Sequence, residues 1–129
     1  MTANGSLWVR LAAVSGLVSV AAGAFAAHAA KDPAARELLR TGATYEVTHA
    51  LAALAAVALG RQGGRGSALA PALFLGGTVL FSGSLYALAF GAPRSVGAIT
   101  PLGGLAFLAG WAVFALQAGG AGGSRRRRT

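Results

Sequence analysis

Four long apolar runs constrain this chain more than any other feature of its sequence. They cover residues 7–30, 42–59, 67–90 and 100–118. A helix rises about 1.5 Å per residue, so runs of this length suit a hydrocarbon layer of about 30 Å. Only 11% of the residues are charged, and most of these lie between the runs, as expected for segments that enter lipid. The sequence predicts an all-α integral membrane protein with four transmembrane helices in a compact bundle, a single domain over residues 1–129.

The first run has a second interpretation, a cleaved secretory signal peptide. Small residues near its end, such as Ala27 and Ala29, resemble a cleavage region. The apolar core of a signal is about 7–15 residues, however, and this run is longer. Trp8 and Arg10 at its start are typical interfacial anchors. Cleavage would also leave an odd number of spans, so a retained first transmembrane helix is favoured.

The charged segment between the first two runs has its own helix signals. Asp32 is a good N-cap, and Pro33 suits the first helical position. Leu38 and Leu39 lie on one side of the helix that would follow. We therefore predict a short interfacial helix within residues 31–40, between the first and second spans.

The distribution of basic residues predicts the orientation. With four spans, the two termini and the middle loop share one side of the membrane. That side carries Arg10, Arg61, Arg65, Arg125, Arg126, Arg127 and Arg128. The other side carries Lys31, Arg36, Arg40 and Arg94. The larger set is expected to face the cytoplasm, which places both termini inside.

The net charge of +8 depends strongly on the C-terminus. Four of these charges form the run from Arg125 to Arg128, and no basic helix face with interleaved aromatics accompanies them. This pattern argues against nucleic-acid binding. We expect residues 119–129 to form a basic cytoplasmic tail that contacts anionic lipid headgroups through Arg125, Arg126, Arg127 and Arg128.

Small residues recur at every fourth position in two of the spans. Ser15, Ser19, Gly23 and Ala27 form such a stripe in the first span, and Gly83, Ala87 and Gly91 form one in the third. Stripes of this kind allow helix backbones to approach closely. They predict contacts with other helices and favour a tight bundle over a wide pore.

Ionisable groups inside spans are costly, so each one is a candidate functional residue. Under the predicted orientation they lie in the outer half of the membrane, together with polar groups of all four spans. The candidate polar cluster comprises His28, Tyr45, Glu46, His49, Ser82, Ser84, Tyr86 and Thr100. Glu46 and His49 are three residues apart and therefore share a helix face.

Several roles remain open for this cluster. It can be a hydrogen-bond network that fixes helix register, or a path for protons or ions. A weak metal site is a third option, although no HExxH spacing is present. The chain has no cysteine, which excludes disulfides and thiolate ligands. No catalytic residue, metal or cofactor is predicted, and Ser82 and Ser84 lack the glycine elbow of a serine nucleophile.

Four ordered motifs resemble those of the YgdD-like family of small membrane proteins. GAFAAH at residues 23–28 is similar to its GAFGAH segment, and TGATYEVTHAL at 41–51 is similar to TG-x-x-YQ-x-YHAL. FSGSLY at 81–86 matches its third-helix motif, and ITPLGG at 99–104 resembles ITPIGG. The resemblance implies a four-helix protein of the bacterial inner membrane and no known activity. Glu46 stands where members usually have Gln, and Thr48 where they often have Tyr, which favours the hydrogen-bond network.

Two main classes of function follow. The first is a non-enzymatic structural or interaction protein of the inner membrane. The alternative is a small oligomeric transporter or proton/ion conductor that uses His28, Glu46 and His49. A membrane enzyme ranks third. The bilayer is the one certain partner of such a chain, with a second copy or another membrane protein as further candidates.

Overall fold

The computed structural model describes residues 3–62 and 67–125, which form four long helices. They are α1 (Ala3–His28), α2 (Pro33–Gln62), α3 (Leu69–Ala89) and α4 (Thr100–Arg125). A short 3₁₀ helix, Arg94–Ala98, precedes α4. Arg65 of the middle loop lies outside the described residues, as do Arg126, Arg127 and Arg128 of the predicted tail.

All four long helices are apolar enough and long enough to cross a membrane. The shortest, α3, has 21 residues, which corresponds to about 30 Å of helix. The longest, α2, has 30 residues, or about 45 Å, so its ends extend beyond the hydrocarbon. The prediction of an all-α membrane protein with four spans is confirmed.

The prediction of a separate interfacial helix was wrong, because those residues are the first turns of α2. Asp32 immediately precedes α2 and caps it: its Oδ1 accepts a hydrogen bond from the Ala34 backbone N–H at 3.3 Å. Arg36 donates from Nη2 to the Ala30 carbonyl at 2.8 Å, which ties the start of α2 to the linker that follows α1. No proline interrupts the chain between Pro33 and Gln62, so the helix continues directly into the second span.

The helix also continues at another predicted boundary. The fourth span was predicted to end near residue 118, and the candidate membrane span does end at Gly119, but the helix α4 itself extends to Arg125. Glycine lowers helix stability by about 1 kcal/mol relative to alanine without removing a backbone N–H, and this segment contains no proline. At the end of α3, a glycine does stop the helix. Gly91 has φ +98°, and its N–H and that of Ala92 bond to carbonyls of the last turn.

The bundle is open on one side. Successive helices pack against each other, with α2 and α3 in the centre and α1 and α4 at the flanks. Within the described ranges α1 and α4 do not contact each other, although the prediction was a compact bundle. The apolar core lies where α1, α2 and α3 meet, and includes Ala12, Ala53, Ala70 and Phe74.

The close packing of α3 against α4 depends on glycines outside the predicted stripe of small residues on α3. Gly77 of α3 and Gly103 of α4 face each other: a Cβ on Gly103 would lie 2.8 Å from the Gly77 carbonyl oxygen. Gly83 is exposed, and a Cβ added there would have nothing within 4 Å, so the predicted α3 stripe is not a packing surface. The α1 stripe does face a helix at Gly23, where a Cβ would meet Ala43 at 4.0 Å.

Candidate functional site

The polar residues of α2 lie near its midpoint and point to different neighbours. Glu46 and His49 are both buried. Because they are three residues apart, their side chains leave the helix about 60° from each other. Glu46 faces α1 and α3, whereas His49 faces α4. The carboxylate and the imidazole therefore belong to two separate groups of contacts.

Glu46 joins three helices through hydrogen bonds. Ser15 of α1 donates from Oγ to Glu46 Oε2 at 2.9 Å. Tyr86 of α3 donates from its hydroxyl to Oε1 at 2.7 Å. Each carboxylate oxygen thus accepts one hydrogen bond from a hydroxyl group. The Glu46 side chain is only 6% exposed. Bonds of this kind in lipid contribute about 0.6 kcal/mol on average, and here two of them act on one residue.

His49 connects α2 to α4. Its Nδ1 lies 2.7 Å from the Tyr45 carbonyl oxygen, and Trp111 donates from Nε1 to its Nε2 at 3.1 Å. A carbonyl oxygen only accepts and an indole N–H only donates, so the hydrogen bonds require a neutral imidazole with the proton on Nδ1. A second proton on Nε2 would place two N–H groups head to head. The ring also stacks on Phe107, with centroids 3.6 Å apart and planes 9° from parallel.

Aromatic side chains extend this contact across α2, α3 and α4. Tyr45 packs against Phe81 with ring centroids 4.6 Å apart, and Phe81 lies 5.4 Å from Phe107. Phe74 approaches Trp111 edge-on at 5.0 Å. Such pairs add about 0.5–1.5 kcal/mol beyond the area they bury. His49 is the polar member of an otherwise aromatic layer.

The serines of α3 pair with the helices on either side. Ser82 donates to the Gly42 carbonyl of α2 at 2.7 Å. Ser84 Oγ lies 2.5 Å from the Thr100 hydroxyl of α4 and donates to the Phe81 carbonyl at 2.9 Å. A hydroxyl has one proton, so Thr100 is the donor in the pair with Ser84. These bonds fix α3 against α2 and α4.

The structure does not bring the whole predicted cluster together. His28 is the exposed last residue of α1, and it follows Ser15, the partner of Glu46, by thirteen residues. At about 1.5 Å per residue it lies roughly 20 Å along α1 from the carboxylate. Tyr45 participates through its carbonyl oxygen and ring face, and its side chain is 45% exposed.

The polar contacts with α4 are spread along that helix. Thr100 is the first residue of α4, whereas Trp111 lies eleven residues further, about 16 Å along the same helix. That the predicted cluster lies in the outer half of the membrane depends on the predicted orientation and stays a prediction. Since α2 begins at Pro33, Glu46 lies in the middle of the helix.

Three contact residues were missed from the sequence: Ser15, Phe107 and Trp111. Ser15 stood out only as a small residue of the α1 stripe. A tryptophan in the middle of a span carries an N–H that needs a hydrogen-bond acceptor. This property could have identified Trp111 as a partner of a polar side chain. Nothing in the sequence distinguishes Phe107 from the other phenylalanines. Among the described residues, no three His, Asp or Glu side chains lie close enough to hold a metal ion together.

Fold and site together define a multi-pass α-helical membrane protein whose buried polar side chains pair between helices. The chain belongs to the family described as "Protein of unknown function (DUF423)", whose family model matches residues 22–104. This range includes the polar side chains of α2 and α3 and the start of α4, but not Ser15 and Trp111, the partners of Glu46 and His49.

Curated relatives cover most of the chain. The "UPF0382 inner membrane protein YgdD" of Escherichia coli (strain K12) is 44% identical over 111 residues, 83% of this chain and 85% of that protein. A "UPF0382 membrane protein" of Haemophilus influenzae is 41% identical over 107 residues, 81% and 86% of the two chains. The "UPF0382 membrane protein YwdK" of Bacillus subtilis (strain 168) is 37% identical over 117 residues, 87% and 95%. No solved structure matches the chain.

Proposed function

We propose that this chain is a non-enzymatic structural or interaction protein of the bacterial inner membrane, with both termini in the cytoplasm. The observation that carries the proposal is how its intramembrane polar groups are used. Glu46, His49, Ser82 and Ser84 each bond to a group on another helix. Hydrogen bonds of this kind stabilise helix packing, and a group would have to give them up to pass protons along the membrane.

The balance of buried polar atoms supports the same account. In the part of the chain that the structure describes, the only buried side-chain nitrogen or oxygen without a hydrogen bond is Arg36 Nε. Arg36 lies in the first turn of α2, near the membrane surface. A conducting path needs a succession of groups that can rearrange their hydrogen bonds, whereas Ser82, Ser84 and His49 each pair with a partner on a neighbouring helix.

The first prediction tests whether the charge of Glu46 is needed for the fold. Glu46→Gln is expected to leave the free energy of unfolding nearly unchanged, because an amide can accept one hydroxyl and donate to the other. Glu46→Ala removes both bonds and is expected to cost about 1–3 kcal/mol. Unfolding by SDS in mixed micelles measures both. Equal destabilisation by Gln and Ala would contradict the structural role proposed for the side chain.

The second prediction concerns orientation, which is supported by the excess of arginine on the side of the termini. A reporter fused after Thr129 is expected to behave as cytoplasmic. Without the run from Arg125 to Arg128, three basic residues face four, so deleting it should give mixed orientation. A periplasmic signal from the full-length fusion would reverse the proposed topology.

Association with a second copy or with another membrane protein belongs to this proposal, as does contact of the C-terminal arginines with anionic lipid. The open side of the bundle between α1 and α4 provides a surface for a protein partner. The run of four arginines provides positive charge for anionic lipid.

A further inference from the structure

An apolar groove separates α1 from α3 because α1 is held mainly by α2. Its volume is about 580 Å³, within the range of about 300–1,000 Å³ typical of sites for drug-sized molecules. Val14 and Val79 line it and are 58% and 71% exposed. In a bilayer, exposed apolar residues at mid-helix face lipid, so the groove opens to the hydrocarbon.

The groove has an acid at its base and no basic residue. Glu46 is the one carboxylate among the described residues that line it, and no Arg, Lys or His is among them. Glu46 and its donor Ser15 lie near the midpoints of α2 and α1, so the carboxylate lies within the membrane-spanning part of the bundle. An ionised acid at this depth is costly unless a positive charge neutralises it.

Neither hydrogen-bond partner of Glu46 is a cation. Ser15 and Tyr86 each occupy one lone pair of the carboxylate, and the two oxygens together offer about four. Both donors are neutral hydroxyls. The aromatic side chains of Trp8 and Tyr86 also line the groove, and aromatic faces attract organic cations.

We propose that the groove between α1 and α3 binds a lipophilic organic cation from the bilayer, with Glu46 as its counter-ion. The apolar walls select a molecule soluble in hydrocarbon, and the single carboxylate selects positive charge. This goes beyond a structural role, because it gives the charge of Glu46 a use that the bonds to Ser15 and Tyr86 do not require.

Radiolabelled tetraphenylphosphonium is a suitable probe, and tetraphenylborate is a control of similar size with opposite charge. Equilibrium binding is measured on the purified full-length protein in an uncharged detergent. The wild-type protein is expected to bind the phosphonium saturably and the borate no more than protein-free micelles do. Glu46→Gln keeps the hydrogen bonds but not the charge, so binding should weaken at least about tenfold.

A second variant tests the groove sterically. Gly83 lines it and has open space beside its Cα, so Gly83→Leu is expected to narrow the groove, leave the melting temperature unchanged and weaken phosphonium binding. Gly104 also has open space but lies on α4, outside the groove, and Gly104→Leu should bind normally. Absence of saturable binding by the wild type, or undiminished binding by folded Glu46→Gln and Gly83→Leu, would overturn the proposal. A failure of the structural role would appear differently, as loss of folding in Glu46→Gln.

Discussion

Replacing Gly103 with alanine is expected to lower the free energy of unfolding by about 3 kcal/mol or more, at the upper end of overpacking effects. The new Cβ would overlap the Phe81 backbone nitrogen and lie 2.8 Å from the Gly77 carbonyl oxygen. Both neighbours are backbone atoms, so no side-chain rotation relieves the clash. The α3 and α4 backbones would have to separate, which would loosen the bond between Ser84 and Thr100 near this crossing.

The adjacent residue provides a matched control for this substitution. Gly104 is on the same helix, and a Cβ there has nothing within 4 Å. Gly104→Ala is expected to be neutral or to stabilise by up to about 1 kcal/mol, because alanine favours helix more than glycine. SDS unfolding of the two variants measures the difference. If Gly103→Ala were as stable as Gly104→Ala, the close approach of α3 and α4 would be wrong.

The second large effect is expected for His49→Ala, at about 2–4 kcal/mol of destabilisation by analogy with large-to-small changes in protein cores. The substitution removes the stack on Phe107 and leaves the Trp111 N–H without its acceptor. It also opens a cavity within the aromatic layer between α2 and α4, and an unpaired donor in an apolar site is unfavourable.

Thr48→Ala is the control for His49→Ala. Thr48 is the neighbouring residue, is exposed, and bonds only to the Thr44 carbonyl of its own helix at 2.7 Å. Its removal is expected to change the free energy of unfolding by less than about 0.5 kcal/mol, as for most surface substitutions. Similar losses in the two variants would show that His49 has no special place in the packing.

The number and type of the helices could be predicted because they depend on local properties. Long apolar runs specify spans, and Asp32 and Thr100 mark helix starts that agree with the structure. The separate interfacial helix was predicted because residues 31–40 are charged, and charge alone does not end a helix. Without a proline or a buried cap, α2 continues through Gly42, which packs beneath the Tyr86 ring.

The pairing of side chains could not be predicted, because it depends on which helices touch and at what height. Glu46 and His49 were identified as unusual from their own chemistry, but their donors were not. Ser15 and Trp111 lie 31 and 62 residues away in the chain. Ser15 and Trp111 reach α2 because α1 and α4 lie on either side of the two central helices, α2 and α3. The groove likewise results from weak contact between α1 and α3, which no single segment encodes.

Proton flux through reconstituted liposomes, measured together with stability for the wild type and His49→Ala, tests most directly whether the intramembrane polar contacts are structural. A pH jump across vesicles containing a trapped pH-sensitive dye reports the flux. We predict that wild-type vesicles take up protons no faster than protein-free ones, and that His49→Ala unfolds at a lower SDS fraction. Robust wild-type flux that disappears in a His49→Ala protein of unchanged stability would contradict this account and establish a proton path.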